Sequence, residues 1–327
     1  MNRIPRLWVL FAVAVIVLAF EAVTVLPQAL QVWHPFDYWQ YTEMGRTLYE
    51  GGNPFSEGRY YPLPTVLWIF VPLSFLPDWF RFVWVLGPFI SCLILFKKQG
   101  VWLFLFVPLW FVIGDGMLDG WLLVPLAWVL ANRPYWAGLG GAIVLFKPQL
   151  AILTVGYSVI RWLIERDWEN LGTFTGAMLI FYLPAFLINP NWVSQMLAVL
   201  PDRAAQTTTF MPLMGGSLWA WWWLGIIGQI ILVAFVAITL FLAVRAFREP
   251  SKRGAVVHLL GLLFTPFLFG SNQIMALPTL RYRRDYGVIV LVSVGVFLLE
   301  KMIGVFGGGY ALIPLAALYL QTNNAVS

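Results

Sequence analysis

Asp37 is the acidic residue whose surroundings best suit acid–base chemistry. It lies in HPFDYWQYTEMGRTLYEGGNPF, residues 34–55, which concentrates charges and aromatic rings in an otherwise apolar chain. A single carboxylate can take the proton of a substrate hydroxyl as a general base. Asp37 can equally be a helix N-cap, because it follows Pro35 and Asp37-x-x-Gln40 resembles a capping box. The pattern alone favours the cap.

Two cations are candidates for binding an anionic group. Lys147 ends an apolar stretch, where a charge is costly unless it reaches the headgroups or is paired, so snorkelling and phosphate binding both stay open. Arg59 stands beside Tyr60 and Tyr61, and it can hold a phosphate or pair with Glu57.

The acidic segment GDGMLDG carries Asp115 and Asp119 four residues apart, a spacing that can place both on one helix face. The pattern favours solvated residues at an outer turn over a metal site. The chain also lacks an Asp-x-Asp pair and has only two histidines and one cysteine. We therefore predict no metal and no other cofactor.

The composition excludes an ordinary soluble domain. Hydrophobic residues make up 61% of the 327 residues and charged residues only 11%, whereas soluble domains carry about 25% charge. The apolar runs predict an all-α, polytopic membrane protein of about ten to twelve transmembrane helices in a single domain, residues 1–327. The net charge of +5 lies in short basic tufts between these runs, a pattern typical of membrane orientation and not of nucleic-acid binding.

The apolar runs set the expected positions of the spans. Residues 7–30 follow the basic MNRIPR without a cleavage site, which predicts an uncleaved first helix. The further spans are expected at 80–96, 101–114, 120–132, 135–147, 149–164, 172–188, 218–244, 254–269, 272–280, 286–299 and 302–320.

The charge distribution predicts the orientation. Residues 62–78 contain four prolines, so we expect this segment to stay at the outer interface instead of crossing. Fourteen of the twenty Lys and Arg residues then face the cytoplasm with both termini, and ten of the fifteen acids lie at the outer side. Residues 31–79 and 189–217 become the two long extracytoplasmic loops.

The first of these loops is expected to contain a helix over residues 37–50. Tyr38, Tyr41 and Met44 fall on one stripe of such a helix, and Gly51-Gly52 can end it. We expect an amphipathic helix at the membrane surface, with its tyrosines at the level of the headgroups.

Several motifs follow one another in a distinctive order. They are FDYWQY, LYEGGNPF, YYPLP, PLSFLP and LFKPQL, which lie between residues 36 and 150. This order resembles the GT-C superfamily of membrane glycosyltransferases, and in particular glycosyltransferase family 87, which uses polyprenyl-phosphate mannose.

The resemblance implies a function and a site. It implies transfer of a hexose, most simply mannose, from a polyprenyl phosphate to a lipid-linked or cell-envelope glycan on the extracytoplasmic face, by inverting, metal-independent displacement. Asp37 takes the position of the general base. The residues that the resemblance and the loop pattern together assign to substrate binding are Tyr38, Tyr41, Arg59, Tyr60, Tyr61, Lys147 and Gln149.

Two other classes stay open on the sequence. A transporter or lipid-sugar flippase would carry ionisable residues near the bilayer midplane and paired broken helices, whereas these spans are nearly free of charge. A catalytically silent scaffold of the same fold would bind lipid or a partner subunit.

The orientation can be tested at the connection after residues 80–96. Because the charge pattern places Gln99 in the cytoplasm, a cysteine at this position should react with a membrane-impermeant thiol reagent only after the membrane is permeabilised. Labelling of Gln99→Cys in intact cells would contradict the topology.

Overall fold

The computed structural model describes residues 35–53, 64–97, 103–195, 197–198, 215–265, 268–303 and 307–323. Within these ranges the structure is helical, and the pairing of Gly215 with Phe269 is an isolated β-bridge. The all-α expectation is confirmed for the described part of the chain. The expected first span at residues 7–30, Arg59, Tyr60 and Tyr61 lie outside the described residues.

Twelve α-helices and four 3-10 helices are used below. The α-helices are α1 (Phe36–Tyr49), α2 (Pro64–Leu73), α3 (Phe80–Phe96), α4 (Val107–Asp115), α5 (Asp119–Leu130), α6 (Trp136–Val144), α7 (Pro148–Glu165), α8 (Trp168–Ile188), α9 (Gly225–Phe247), α10 (Arg253–Phe264), α11 (Arg283–Ile303) and α12 (Leu312–Asn323). The 3-10 helices are Leu218–Leu224, Pro250–Lys252, Gly270–Thr279 and Gly307–Ala311.

Within the part of the chain that the structure describes, two helical segments are long and apolar enough to cross a membrane, namely Trp168–Leu187 and Leu218–Phe247. At 1.5 Å per residue, α8 is about 32 Å long and α9 about 35 Å, which matches the hydrocarbon thickness of about 30 Å. Both helices expose large apolar side chains, such as Ile180 at 71% and Ile226 at 70%. This surface is consistent with a helical membrane protein.

The helix predicted after the first span exists, but its tyrosines do not face headgroups. Helix α1 packs on α2 and α3, and Tyr38 and Tyr41 are buried. The Tyr41 ring stacks on Phe70 with 4.3 Å between ring centroids, while Tyr38 packs against Trp84. The expectation of a tyrosine stripe at headgroup level was therefore wrong for these two residues, because the stripe is covered by protein.

Prolines shape the segment that was expected at the outer interface. Helix α2 has only ten residues, about 15 Å, which is too short to cross a bilayer unaided. Pro64 begins the helix and Pro72 lies near its end, both positions where proline is tolerated.

Several predicted spans differ from the structure, and the one expected at 302–320 is divided between the 3-10 helix Gly307–Ala311 and α12. The span expected at 218–244 begins as a 3-10 helix, and the α-helix starts only at Gly225, whose φ of +68° ends the tighter coil. The segment expected to span at 272–280 is a ten-residue 3-10 helix, and nearly all of its residues are buried. It is an internal packing element instead of a lipid-facing α-helix.

Segments that the charge pattern assigns to one side of the membrane contact one another in the structure. At the end that carries Asp37, the α4–α5 turn meets the start of α1, and residue 147 meets residue 119. At the opposite end, which we call the basic end, the Trp162 indole donates to Asn132 and Arg281 donates to the Ser251 carbonyl. These contacts show which connections lie together, and the side of the membrane that each end faces stays a prediction.

Candidate functional site

Asp37 lies in the first turn of α1 and does not cap it. The Pro35 carbonyl accepts the first helical hydrogen bond, from the Trp39 N–H at 2.9 Å, so Pro35 is the N-cap residue. Helix α1 therefore begins at Phe36, two residues earlier than the capping-box pattern indicated. The N-cap interpretation of Asp37 was wrong, and its half-buried carboxylate accepts a hydrogen bond from the Tyr41 hydroxyl at 3.3 Å.

The α4–α5 turn closes one side of the site. Gly116 adopts a left-handed conformation with φ +66°, and a Cβ atom there would lie 2.6 Å from the Pro35 Cβ. The Trp84 indole N–H donates to the Gly116 carbonyl at 2.8 Å, which fixes the turn against α3. Only glycine fits this close approach, so the turn holds Asp115 and Asp119 beside the start of α1.

Asp119, the first residue of α5, is the most enclosed acid of the site. Its side chain has no solvent exposure, and its Oδ1 atom pairs with the Lys147 ammonium at 2.5 Å. Lys147 immediately precedes α7, and its side chain is 14% exposed. The interpretation of Asp119 as a solvated turn residue was wrong. Snorkelling of Lys147 to the headgroups was wrong too, because the ammonium turns inward to a carboxylate.

Asn272 completes the pairing of Asp119 and was missed by sequence reasoning. Its Nδ2 amide donates to Asp119 Oδ2, and its Oδ1 atom accepts from the Phe269 N–H at 2.7 Å. Because both amide atoms are engaged, the side chain has one orientation. The available signal was the run Ser-Asn-Gln inside an apolar stretch, since polar groups there need partners.

The charges around Asp37 act on its proton affinity in opposite directions. The pKa of the Asp37 carboxyl is raised to about 6, and burial is the largest cause of the rise. The positive charge of Lys147 lowers this pKa, the carboxylates of Asp119 and Asp115 raise it, and the hydrogen bond from Tyr41 lowers it. The result is a carboxylate that is ionised at neutral pH and still takes up a proton readily.

Only some of the other predicted site residues lie near Asp37 or Lys147. Gln149 is half-buried in the first turn of α7, two residues after Lys147. The Tyr41 hydroxyl donates to the Asp37 carboxylate, whereas the Tyr38 ring packs against Trp84. Substrate binding by these residues stays a prediction.

His258 is packed inside the bundle and has no solvent exposure. Its Nε2 atom is 2.9 Å from the Met275 carbonyl and its Nδ1 atom is 2.9 Å from the Thr154 hydroxyl. Since a carbonyl only accepts, Nε2 carries the proton and Nδ1 accepts from Thr154. These bonds anchor the 3-10 helix that presents Asn272.

The chain was compared with protein-family models, with curated proteins and with solved structures, and none of the three comparisons found a match. Within the described residues, no three His, Cys, Asp or Glu side chains are grouped so that they could hold a metal ion.

The site can therefore exchange a proton beside a fixed cation. Asp37 supplies a half-buried carboxylate of raised proton affinity. Lys147 supplies positive charge, and among the described residues one of its three N–H donors is used, on Asp119. A base next to an ammonium suits a reaction in which a hydroxyl attacks while an anionic group departs.

The Lys147–Asp119 pair predicts an asymmetry in stability. Lys147→Gln leaves a buried carboxylate without its cation and should lower the free energy of unfolding by about 3–5 kcal/mol. The double variant Lys147→Gln, Asp119→Asn removes both charges and should lose less than half of that amount.

Unfolding of the detergent-solubilised protein by heat or denaturant measures this difference. Arg161→Gln is the control, because Arg161 pairs with Glu165 on an exposed helix face and the loss should be about 0.5 kcal/mol. Equal losses for Lys147→Gln and Arg161→Gln would contradict the buried pair.

Proposed function

We propose that this protein is a polytopic membrane glycosyltransferase. It moves a hexose, mannose in the simplest case, from a polyprenyl phosphate to a lipid-linked or cell-envelope glycan on the extracytoplasmic face. It needs no metal or other cofactor, and membrane lipids surround the bundle. This proposal joins the order of motifs in residues 36–150 to the chemistry available at Asp37.

One observation carries the proposal. The Asp37 carboxylate is half-buried at the start of α1, its pKa is raised by burial to about 6, and an ammonium lies close enough to oppose that rise. General bases work best when their pKa lies near the working pH. The usual alternative for an aspartate at a helix start is an N-cap, and Pro35 takes that position here.

The membrane part of the proposal rests on the surface of the helices. Val233 on α9 is 69% exposed, Leu187 on α8 is 73% exposed and Ile164 on α7 is 77% exposed. Contiguous apolar surface on several helices is costly in water and favourable in lipid. The distribution of Lys and Arg residues in the sequence supports an outward position of Asp37.

The proposed reaction is a single displacement. The acceptor hydroxyl gives its proton to an Asp37 oxygen while the hydroxyl oxygen forms a bond to the anomeric carbon. The bond from that carbon to the phosphate oxygen breaks, and the polyprenyl phosphate leaves with the electron pair. Attack opposite the leaving group inverts the anomeric configuration.

Cations stabilise the departing phosphate in this scheme. Lys147 is the first candidate, because among the described residues two of its three N–H donors remain for a phosphate oxygen, and Arg59 is the second candidate. Tyr38, Tyr41, Tyr60, Tyr61 and Gln149 are proposed to position the sugar and the acceptor.

A transporter or lipid-sugar flippase is the second candidate function. The Lys147–Asp119 pair favours it, because charged pairs between transmembrane helices often mark substrate pathways. The two functions differ in their products, since a transporter moves its substrate unchanged while a transferase forms a new glycosidic bond.

Asp37→Asn tests the proposed base directly. An amide cannot accept the hydroxyl proton, so turnover from a polyprenyl-phosphate hexose should fall by about 100-fold or more. The amide also avoids the cost of burying a carboxylate, so the variant should unfold at no lower temperature than the wild type.

Glu43→Gln is the matched control. Glu43 lies on the same helix with an exposed side chain, so this change should leave turnover within about twofold of wild type. Near-normal turnover in a well-folded Asp37→Asn protein would remove Asp37 from the chemistry.

The rate should depend on pH through the same carboxyl group. Because the reactive form is the anion and the pKa is about 6, the rate should be constant above neutrality and fall as the pH drops through 6. At pH 5 it should be about one tenth of the plateau. A rate that stays constant down to pH 5 would contradict a base with this pKa.

The two cations make a separate prediction about the donor. Lys147→Ala should raise KM for the polyprenyl-phosphate sugar more than KM for the acceptor, because the phosphate belongs to the donor alone. Arg59→Ala should act in the same direction. If neither variant alters the donor dependence in steady-state assays, these residues do not bind the phosphate.

A further inference from the structure

The basic end of the protein carries a concentration of cations on two segments of the chain. The end of α9 and its connection to α10 supply residues 245–253, and the start of α11 with the residues before it supplies 281–285. These segments contain only two acids, Glu249 and Asp285, and their formal charge is +5. We call their cations the arginine patch, which consists of Arg245, Arg248, Lys252, Arg253, Arg281, Arg283 and Arg284.

The fold joins the two segments into one surface. The Arg281 guanidinium donates to the Ser251 carbonyl at 2.7 Å, which links the start of α11 to the connection before α10. Both acids are engaged inside the patch, since Glu249 pairs with Lys252 at 2.5 Å and Asp285 accepts a backbone N–H at 3.2 Å. The surface therefore keeps an excess of positive charge.

This surface begins where an apolar helix surface ends. Arg245 lies in the last turn of α9, and Arg248 is the C-cap residue of that helix. Just before them, Phe241 and Val244 are 65% and 62% exposed. In a bilayer, exposed apolar helix surface contacts acyl chains, and the cations that follow it lie at the level of the headgroups. The exposed side chains of Arg245 and Arg248 are therefore placed to meet headgroups.

Exposed aromatic rings lie beside two of the guanidinium groups. Arg253 lies 5.4 Å from the centroid of the Phe247 ring and donates to the Phe247 carbonyl at 3.1 Å. Arg284 lies 5.6 Å from the centroid of the Tyr282 ring. Stacking of this kind orients a guanidinium group, and an oriented guanidinium group can bind a phosphate through two N–H donors at once.

We propose that the arginine patch is a binding site for the headgroup of an anionic phospholipid in the leaflet that the basic end faces. The headgroup phosphate accepts N–H donors from both segments, and the acyl chains lie along the apolar surface of α9. A lipid fits this surface better than a soluble acidic protein, because a soluble partner would not cover the adjoining apolar helix. The site lies at the opposite end from Asp37 and does not depend on sugar transfer.

Native mass spectrometry of the full-length protein in mild detergent measures the lipid preference. The protein is mixed with equal amounts of phosphatidylglycerol and phosphatidylcholine that carry identical acyl chains, so the two lipids differ in headgroup charge. The first bound lipid should be phosphatidylglycerol about three times as often as phosphatidylcholine, because several cations attract the anionic headgroup. Equal retention of the two lipids would overturn the proposal in favour of a soluble acidic partner.

A triple variant removes the charge from both segments of the patch. It should retain the two lipids equally, and its changes are Arg245→Gln, Arg248→Gln and Arg281→Gln. The matched control removes the same charge from exposed arginines outside the patch and should keep the wild-type preference, and its changes are Arg46→Gln, Arg133→Gln and Arg166→Gln. A preference that persists in the patch variant, or that is lost equally in the control, overturns the proposal.

The double variant Arg245→Gln, Arg248→Gln decides the question if the triple variant does not fold. It leaves the contact between Arg281 and Ser251 in place, and it should lower the preference for phosphatidylglycerol by about twofold. An unchanged preference in this variant overturns the proposal.

Inorganic phosphate separates a lipid headgroup from a soluble anion. Phosphatidylglycerol is also held by its acyl chains, so an excess of inorganic phosphate should leave the wild-type preference in place. Full displacement of phosphatidylglycerol by inorganic phosphate would identify a soluble anion as the occupant and overturn the proposal.

Discussion

A carboxylate that is shut off from solvent must be paired, and Asp119 meets this requirement in a way that shapes the whole Asp37 end of the protein. An isolated buried anion costs several kcal/mol, so α5 can begin with Asp119 only if a cation and a donor reach it. Lys147 reaches it from the start of α7, and Asn272 reaches it from the 3-10 helix Gly270–Thr279. The Thr154–His258–Met275 hydrogen bonds hold that 3-10 helix in turn. The site is therefore built from polar pairs inside an apolar bundle.

Much of the helical framework could be predicted from the sequence, because long apolar runs admit few alternatives to a helix. The segment expected at 80–96 is helix α3, Phe80–Phe96, and the one expected at 149–164 is α7, Pro148–Glu165. The predictions that failed were made from a local sequence pattern, where the packing of the folded protein decides the structure. The segment 272–280 was expected to be a spanning helix, but Gly270–Thr279 is a 3-10 helix whose residues are nearly all buried. Asp37 matched a capping pattern, but Pro35 is the N-cap residue, two residues earlier, and its carbonyl accepts the first helical hydrogen bond.

The sequence predicted some residues of the site, but not the pairs that they form. Asp37 could be singled out because its segment is polar and follows an apolar run. The pairing of Lys147 with Asp119 joins residues 28 positions apart, and that of Asn272 with Asp119 joins residues 153 positions apart. A single sequence carries no signal for such pairs except the cost of leaving each group alone. That cost argued for a partner of Lys147, and it applied equally to Asp119 and to the Ser-Asn-Gln run.

The central claim is that the sugar comes from a polyprenyl phosphate and reaches a hydroxyl activated by Asp37. The most direct measurement gives the purified protein, in nanodiscs with a membrane-lipid extract as acceptor, radiolabelled mannose on either a polyprenyl phosphate or a nucleotide. The account predicts labelled glycolipid or glycan from the polyprenyl donor alone, and none from that donor with Asp37→Asn. Transfer from the nucleotide donor with the polyprenyl donor unused would contradict it.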